Sequence, residues 1–394
     1  MQAKSPKIFL SAGEASGEHY GALLLEELKA RCPDATFFGM GGQRMADLGC
    51  KLIVPSHEMA VMGITEVLRH LPRIYRNFRK LRHAIRTHPP DVAVLIDFPD
   101  IHLKLAKEFH ALGIPVIFFV SPQLWAWKKH RIKLVQQFVT RMLVIFPFEQ
   151  PFYRQNGVQA DYVGHPLADM DQPAISRKEF AAEAGLEPAL TWVALLPGSR
   201  AKEIRMNLPE MLSAASLLHA RRPTTQFVLP FAATLTGAQR QMTRDLITEH
   251  APRLPLALVD DARPALFHAR AAIVASGTAT VEAALIGNPF VVVYRVSPIT
   301  YAIAKRVVHV PHVAMVNLVA DKRLVPELIQ DDFTATSIVQ QLEPLLTEGE
   351  PRQSMLDGLR AVGDTLRQGR GTSQSAIARV ASITLETLGL PAQG

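Results

Sequence analysis

Thr191-Trp192-Val193-Ala194-Leu195-Leu196-Pro197-Gly198-Ser199-Arg200 is a short apolar run closed by a proline-glycine turn, and it decides the fold because it restarts a pattern already completed once. Upstream, β-branched or aromatic runs at 7–11, 36–39, 92–96, 116–120, 142–145 and 161–163 alternate with stretches of helical periodicity. Downstream, further runs follow at 226–230, 255–259, 272–275 and 290–294. Strands alternating with helices are the signature of βαβ units and a mainly parallel sheet. Two such series predict an α/β chain of two Rossmann-like, doubly wound domains facing a central cleft. The polar stretch after Gly164-His165-Pro166 reads as the linker, which gives domains at 1–168 and 169–373. Apolar residues at helical spacing over 374–388 suit a last helix, within 374–394, that packs back on the first domain.

Bulk composition agrees. A chain of 394 residues exceeds one ordinary core, and 48% hydrophobic with 20% charged residues is globular rather than disordered. The two cysteines, Cys32 and Cys50, cannot form a multi-bridge scaffold and fit a reducing cytoplasm. Residues 1–6 are short and polar and lead straight into Lys7-Ile8-Phe9-Leu10, so an export signal is not expected. No run approaches the roughly 20 apolar residues of a spanning helix, so any membrane contact must be lateral. The net charge of +7 calls for an acidic partner: nucleic acid, anionic lipid or a phosphorylated substrate.

Doubly wound sheets bind ligands at the carboxyl ends of their strands, so the residues that follow each strand are the candidates. The first strand runs into Ser11-Ala12-Gly13-Glu14-Ala15-Ser16-Gly17-Glu18. Glycines there allow close backbone approach, and the helix start offers unpaired N–H groups. The spacing is not G-x-G-x-x-G, and Glu14 and Glu18 would repel a pyrophosphate, so sugar hydroxyls suit this loop better. A tight turn capped by Ser16 or Glu18 is the structural alternative. Asp97 directly follows the run 92–96, where partial desolvation would raise its basicity toward a sugar hydroxyl's proton. It is the candidate general base; a turn aspartate before a proline-started helix is the alternative.

In the second series, Pro197-Gly198-Ser199-Arg200 can present backbone N–H groups and a fixed cation to a diphosphate, or Arg200 can simply cap the turn. Ala275-Ser276-Gly277-Thr278-Ala279-Thr280-Val281-Glu282 places hydroxyls and a glycine at a helix start, favouring phosphate, with Glu282 one turn in as an acceptor for ribose hydroxyls. The plain reading makes Ser276 or Thr278 a cap. Two further segments carry charge. Val67, Leu71, Ile74, Phe78, Leu81 and Ile85 recur at helical spacing among Arg69, Arg73, Arg76, Arg79, Lys80, Arg82 and Arg86, with no acid between Glu66 and Asp91. Such an element suits an anionic lipid surface, or faces a core. Ser121-Pro122-Gln123-Leu124-Trp125-Ala126-Trp127, followed by Lys128 and Lys129, sets two tryptophans beside cations and suits acyl chains with a phosphate, or nucleic-acid bases.

Taken in order, Ala12-Gly13-Glu14-Ala15-Ser16-Gly17, Val61-Met62-Gly63, the two-tryptophan stretch, Leu195-Leu196-Pro197-Gly198-Ser199-Arg200 and Ala275-Ser276-Gly277-Thr278-Ala279 resemble the lipid-A-disaccharide synthases over about residues 7–385. The resemblance implies a GT-B fold and an inverting transfer of diacylglucosamine from UDP-2,3-diacylglucosamine to the 6-hydroxyl of 2,3-diacylglucosamine 1-phosphate (lipid X), releasing UDP. It implies Asp97 as base and Arg200, Ser276, Gly277, Thr278, Glu282, Asn317 and Glu327 on the donor side. Glu14, Ser16, Gly17, Met62, Gln123 and Trp125 fall to the acceptor-side or cleft loops. It implies no metal, no cofactor and no nucleic-acid partner, and a peripheral position on the anionic inner membrane of a Gram-negative bacterium; a homodimer is compatible with it. Three places depart from the family's usual sequence: Gly17-Glu18 stands for Gly-Asp, Asp100-Ile101-His102 for Asp-Phe-Asn, and Gly42-Gln43 for Gly-Pro.

The expected reaction is a single displacement in which Asp97 deprotonates the acceptor hydroxyl while Arg200 and the helix start at Ser276 to Thr278 hold the departing diphosphate. A sugar-nucleotide epimerase on the same scaffold is the rival enzyme, told apart by UDP release without an acceptor. An RNA-binding protein is the non-enzymatic rival; it predicts steeply salt-dependent RNA binding, and no RNA-binding motif supports it.

Overall fold

The computed structural model describes residues 5–13, 15–59, 64–307, 310–368 and 374–391. The chain forms two compact units, Met1–Asp169 with Leu366–Gly394, and Met170–Thr365.

The first unit is built on seven parallel strands: β1 Lys7–Ala12, β2 Thr36–Gly41, β3 Lys51–Pro55, β4 Val92–Ile96, β5 Val116–Phe119, β6 Arg141–Val144 and β7 Ala160–Tyr162, in the order β3-β2-β1-β4-β5-β6-β7. The central strands are buried on both faces, which is why β4 reads Val-Ala-Val-Leu-Ile without alternation. Phe9 of β1 packs its ring 5.0 Å from Phe109 and 5.4 Å from Phe38. Helix Ala376–Thr387 belongs to this unit. Ser375 caps it by accepting from Ala378 N, Asp169 Oδ2 accepts from Ala376 N at 2.7 Å, and Arg31 donates to Ser382 Oγ at 2.9 Å.

The second unit has six parallel strands: β8 Thr191–Leu196, β9 Thr225–Pro230, β10 Leu256–Val259, β11 Ala271–Ala275, β12 Phe290–Tyr294 and β13 Glu327–Ile329, in the order β10-β9-β8-β11-β12-β13. Each sheet reverses its winding beside its first strand, between β1 and β4 in one unit and between β8 and β11 in the other. These are the crevices where such sheets bind ligands. The register pairs Ala12 with Ile96 and Leu196 with Val274, so the loops after those strands leave side by side.

Two strands have no counterpart in the runs read from the sequence. Both β3 and β13 are sheet edges, paired on one side only, so neither needs the continuous apolar run that marks a central strand. The pairing of β3 on β2 also slips between Gly39 and Met40.

Candidate active site

Strain marks the carboxyl edge of the first sheet. Asp97 and Phe98 both sit in the left-handed region, at φ 53° and 52°, and Val120, after β5, at 62°. Such conformations cost on the order of 1–3 kcal/mol each for residues with a Cβ, and persist only where the surroundings over-determine them. Here they do. Asp97 N donates to Phe119 O at 2.8 Å, and the Asp97 carbonyl accepts from His102 Nδ1 at 2.6 Å. The other ring nitrogen of His102 takes the Ser11 Oγ proton at 2.8 Å. His102 is fully enclosed, and burial depresses its pKa to about 4, so the ring is neutral with the proton on Nδ1. His102 thus ties the Asp97 turn to β1.

The glycines of the first loop follow from the same turn. A Cβ on Gly13 would lie 2.3 Å from the Phe98 ring, so only glycine lets Phe98 close over β1. A Cβ on Gly17 would fall 3.8 Å from the Asp97 side chain, placing the start of helix Ala15–Arg31 beside the half-buried Asp97 carboxylate. Ser16 lies on that same first turn. The longer Glu18 lies across Gly42: a Cβ there would meet its carboxylate at 1.6 Å, so Glu18 and Gly42 are sterically matched. Glu14 and Met62 lie outside the described residues.

The loop after β5 carries Gln123 and Trp125, and the sequence reading missed what holds it. Glu149, at the start of helix Glu149–Gln155, is buried. Its Oε1 accepts from Ser121 Oγ at 2.7 Å and Trp125 Nε1 at 3.1 Å, and its Oε2 accepts from Phe146 N at 3.1 Å. Burial pushes its pKa up to about 7, against the pull of those donors. Trp125 packs edge-on against Phe148 at 5.0 Å. Gln123 is exposed, and its carbonyl accepts from Ala126 N and Trp127 N. Trp127 is exposed with Lys128 Nζ 4.1 Å over its ring, and Lys128 and Arg131 both pair with Asp100, linking this loop to the turn that carries Asp97. The only signal for Glu149 in the sequence is an acid inside the aromatic stretch Phe146-Pro147-Phe148-Glu149.

In the second unit, Gly198 at φ 122° turns the chain so that Ser199 N donates to Glu203 Oε2 at 3.0 Å while Arg200 pairs with Glu203 Oε1 at 3.1 Å. Asn207, buried one turn on, donates to Pro197 O and accepts from Arg295 N. On the neighbouring strand, Ser276 N donates to Val293 O, and Gly277 at φ 152° starts helix Thr278–Ile286 with no side-chain cap on its amides. Ser276, Gly277 and Thr278 therefore stand at an open helix start beside the turn at 197–200, where negative oxygens are favoured. Glu282 lies 3.6 Å from Arg263, and burial raises its pKa.

Asn317 and Glu327 meet each other. Asn317 Nδ2 donates to Glu327 Oε1 at 2.8 Å and to Val325 O, and Glu327 also accepts from Val313 N and Ala314 N at the start of helix Met315–Ala320. The pair fixes the 313–327 loop beyond β12. The sequence also holds one Asp-x-Asp, Asp169-Met170-Asp171, of the kind that often serves metals; its first carboxylate is engaged with Ala376 N. No group of three or more metal-ligating side chains occurs among the described residues.

The basic helix Ile64–Thr87 differs in burial along its length. Leu81 and Ile85 are buried and Ile74 and Phe78 are partly buried against the core, while Leu71 and Tyr75 stay exposed; Tyr75, Arg76, Arg79 and Lys80 line an open groove. Arg82 and Arg86 pair with Glu108. The side chains of Val67 and Arg69 lie outside the described residues. Among the described residues no helix is long and apolar enough to cross a membrane.

Known proteins match throughout. A family model described as lipid-A-disaccharide synthetase matches residues 8–381. The lipid-A-disaccharide synthase of Acidobacterium capsulatum is 58% identical over 397 residues, covering 98% of this chain and 97% of the relative; that of Koribacter versatilis is 48% identical over 380, covering 96% and 98%. Among solved structures, the glycosyltransferase of kitacinnamycin superposes with a TM-score of 0.63 at 16% identity, covering 99% of this chain and all of that one (100%). A UDP-GlcNAc 2-epimerase from Neisseria meningitidis, solved with UDP-GlcNAc, superposes at 0.60 and 12% identity over 91% of this chain and 99% of its own. The likeness to both classes shows a shared fold, that of GT-B glycosyltransferases, and leaves the chemistry to sequence.

Proposed function

The chain belongs to the lipid-A-disaccharide synthase family of glycosyltransferases, and from that membership we propose that it joins UDP-2,3-diacylglucosamine to 2,3-diacylglucosamine 1-phosphate, forming the β-1,6-linked disaccharide monophosphate and UDP. Asp97 is the base. The observation that carries this is the doubly left-handed turn at Asp97-Phe98, locked through His102 and Gly13 at the winding reversal of the sheet. Strain held at a ligand-binding edge is characteristic of a group whose position matters.

The acceptor hydroxyl gives its proton to an Asp97 carboxylate oxygen as its own oxygen attacks the anomeric carbon. The bond to the diphosphate breaks from the opposite face, inverting the centre. Arg200 and the amides at Ser276 to Thr278 take up the charge that develops on the leaving UDP, each such fixed donor supplying a few kcal/mol. Glu282 accepts from the ribose hydroxyls. Asn317 and Glu327 act on the donor through the loop they fix. Glu14, Ser16, Gly17, Met62, Gln123 and Trp125 serve the acceptor side. The reaction as written draws on no metal or cofactor. Both substrates are lipids, so the exposed upper face of helix Ile64–Thr87, with Tyr75, Arg76, Arg79 and Lys80, rests on the anionic inner membrane from its cytoplasmic side.

The test uses the purified chain, both synthetic substrates and mass detection of the product. Asp97→Asn should lower turnover by roughly 10²–10⁴-fold, the usual worth of a general base. Normal turnover by that variant eliminates the base, and UDP release without acceptor restores the epimerase reading. Replacing Arg76, Arg79 and Lys80 with glutamate should weaken vesicle binding in a salt-sensitive way.

A further inference from the structure

Helix Pro298–Val307 in the second unit has ten residues and buries none of their side chains. Ile299, Ile303 and Val307 recur every fourth residue, so they share one face, and they are 76%, 53% and 47% exposed. A helix this short is marginal in water unless an apolar face is packed, and this face is left largely open. Its N-terminus is well made: Ser297 accepts from Thr300 N and Tyr301 N donates to Ser297 O. What it lacks is a cover.

The charge around it indicates which cover. No aspartate or glutamate occurs from Ala283 to Ala320, while Lys305 and Arg306 stand exposed in the last turn and pair with no carboxylate among the described residues. The third cation of the stretch, Arg295, is used internally, on Glu210 and the Phe333 carbonyl. In an antiparallel self-pairing through Ile303, Lys305 and Arg306 would lie against the N-terminal half of the partner helix, the positive end of its dipole, where no carboxylate stands to receive them. A surface that is greasy inside and negative at its face accepts both the stripe and the cations. We propose that helix Pro298–Val307 is an in-plane anchor by which the second unit, independently of helix Ile64–Thr87, binds an acidic bilayer.

The full chain is sedimented with vesicles of phosphatidylcholine and of phosphatidylcholine mixed with phosphatidylglycerol. Ile299→Ser/Ile303→Ser should lower partitioning into the mixed vesicles by on the order of tenfold or more, from the apolar area withheld from the bilayer. Lys305→Gln/Arg306→Gln should lower it by about 5-fold per charge, in the acidic vesicles only and not at high salt. Both variants should keep the wild-type circular dichroism melt and full activity on short-chain, micelle-free substrates. Unchanged partitioning of the serine variant overturns the inference, and so does a shift from dimer to monomer in that variant, which makes the cover a second copy. The Arg76, Arg79 and Lys80 variant is run in parallel. Loss there alone leaves the first unit's membrane contact standing and removes this one; loss in the serine variant alone does the reverse.

Discussion

Replacing Glu149 with glutamine tests whether the loop bearing the two tryptophans is held by a buried, titrating carboxylate. In the folded chain the pKa of Glu149 is pushed up to about 7 from an ordinary 4.5, with burial as the largest cause. A folded-state pKa above the unfolded one means that the protonated form is favoured by folding. The contribution is therefore whole below about pH 4.5 and is lost as pH rises through about 7. At roughly 1.4 kcal/mol per unit, that interval is worth about 3 kcal/mol. The glutamine of the variant would be neutral throughout. Its carbonyl can keep the protons of Ser121 and Trp125, but its amide nitrogen then faces Phe146 N, donor against donor, at a cost of about 1–3 kcal/mol. The variant should be the less stable protein at pH 5 and about equal to the parent at pH 8.5, because only the parent loses stability between them. Urea unfolding of the first unit, read by pulsed hydrogen exchange on peptides from β4 to β6, measures the gap at each pH. Parallel profiles for parent and variant would refute the argument.

Gly13→Ala puts a methyl 2.3 Å from the Phe98 ring and should cost about 1–3 kcal/mol together with most of the turnover, whereas Gly237→Ala, with open space around it and an ordinary backbone, should stay within about 0.5 kcal/mol in the same melts. His102 has the opposite linkage to Glu149: its pKa is depressed to about 4 by burial, so its contribution is present above pH 6.5 and lost as pH falls through about 4. Acid unfolding of a His102→Asn variant should lack about 3 kcal/mol of that pH dependence, and an unchanged acid limb would contradict the buried, neutral ring. Asp169→Ala removes the acceptor for Ala376 N and should loosen helix Ala376–Thr387 by about 1 kcal/mol, seen as faster amide exchange confined to that helix.

The two-sheet α/β organisation was legible because central parallel strands are buried on both faces, and burial on both faces writes a continuous apolar run. Val92–Ile96 and Thr191–Leu196 are instances whose ends coincide with the sequence reading. The edge strands Lys51–Pro55 and Glu327–Ile329 escaped because an edge needs only one ladder partner and tolerates polar residues. Asp97 was legible as a polar residue at a strand's carboxyl end. Its left-handed backbone was not, since nothing in Asp97-Phe98-Pro99 requires a positive φ. That conformation is imposed by partners outside the triplet: His102, five residues on, holds the Asp97 carbonyl, while Phe119 on its amide and Gly13 under Phe98 are brought in from farther along the chain. Glu149 was hidden for the same reason. A buried carboxylate looks like any helix-starting acid until its donors, 28 and 24 residues upstream, are brought to it.

One construction recurs at three of the loops proposed to meet substrate. A side chain that accepts main-chain or indole N–H groups lies behind the loop and fixes it before any ligand arrives. Glu149 does this for Ser121 to Trp125, Glu203 for the turn at 197–200, and Glu327 with Asn317 for residues 313–327. The consequence is energetic. Donors already held in place need no reorganisation when charge appears on a leaving diphosphate, and that is the condition under which fixed dipoles and cations stabilise a transition state more than its ground state. Glu203 sharpens the point, because it holds both the backbone of Ser199 and the guanidinium of Arg200. A diphosphate that draws Arg200 away leaves Glu203 on the Ser199 amide, so the turn keeps its shape while the cation moves. On this reasoning the carboxylates behind the loops matter to turnover as much as the residues proposed to face the substrate.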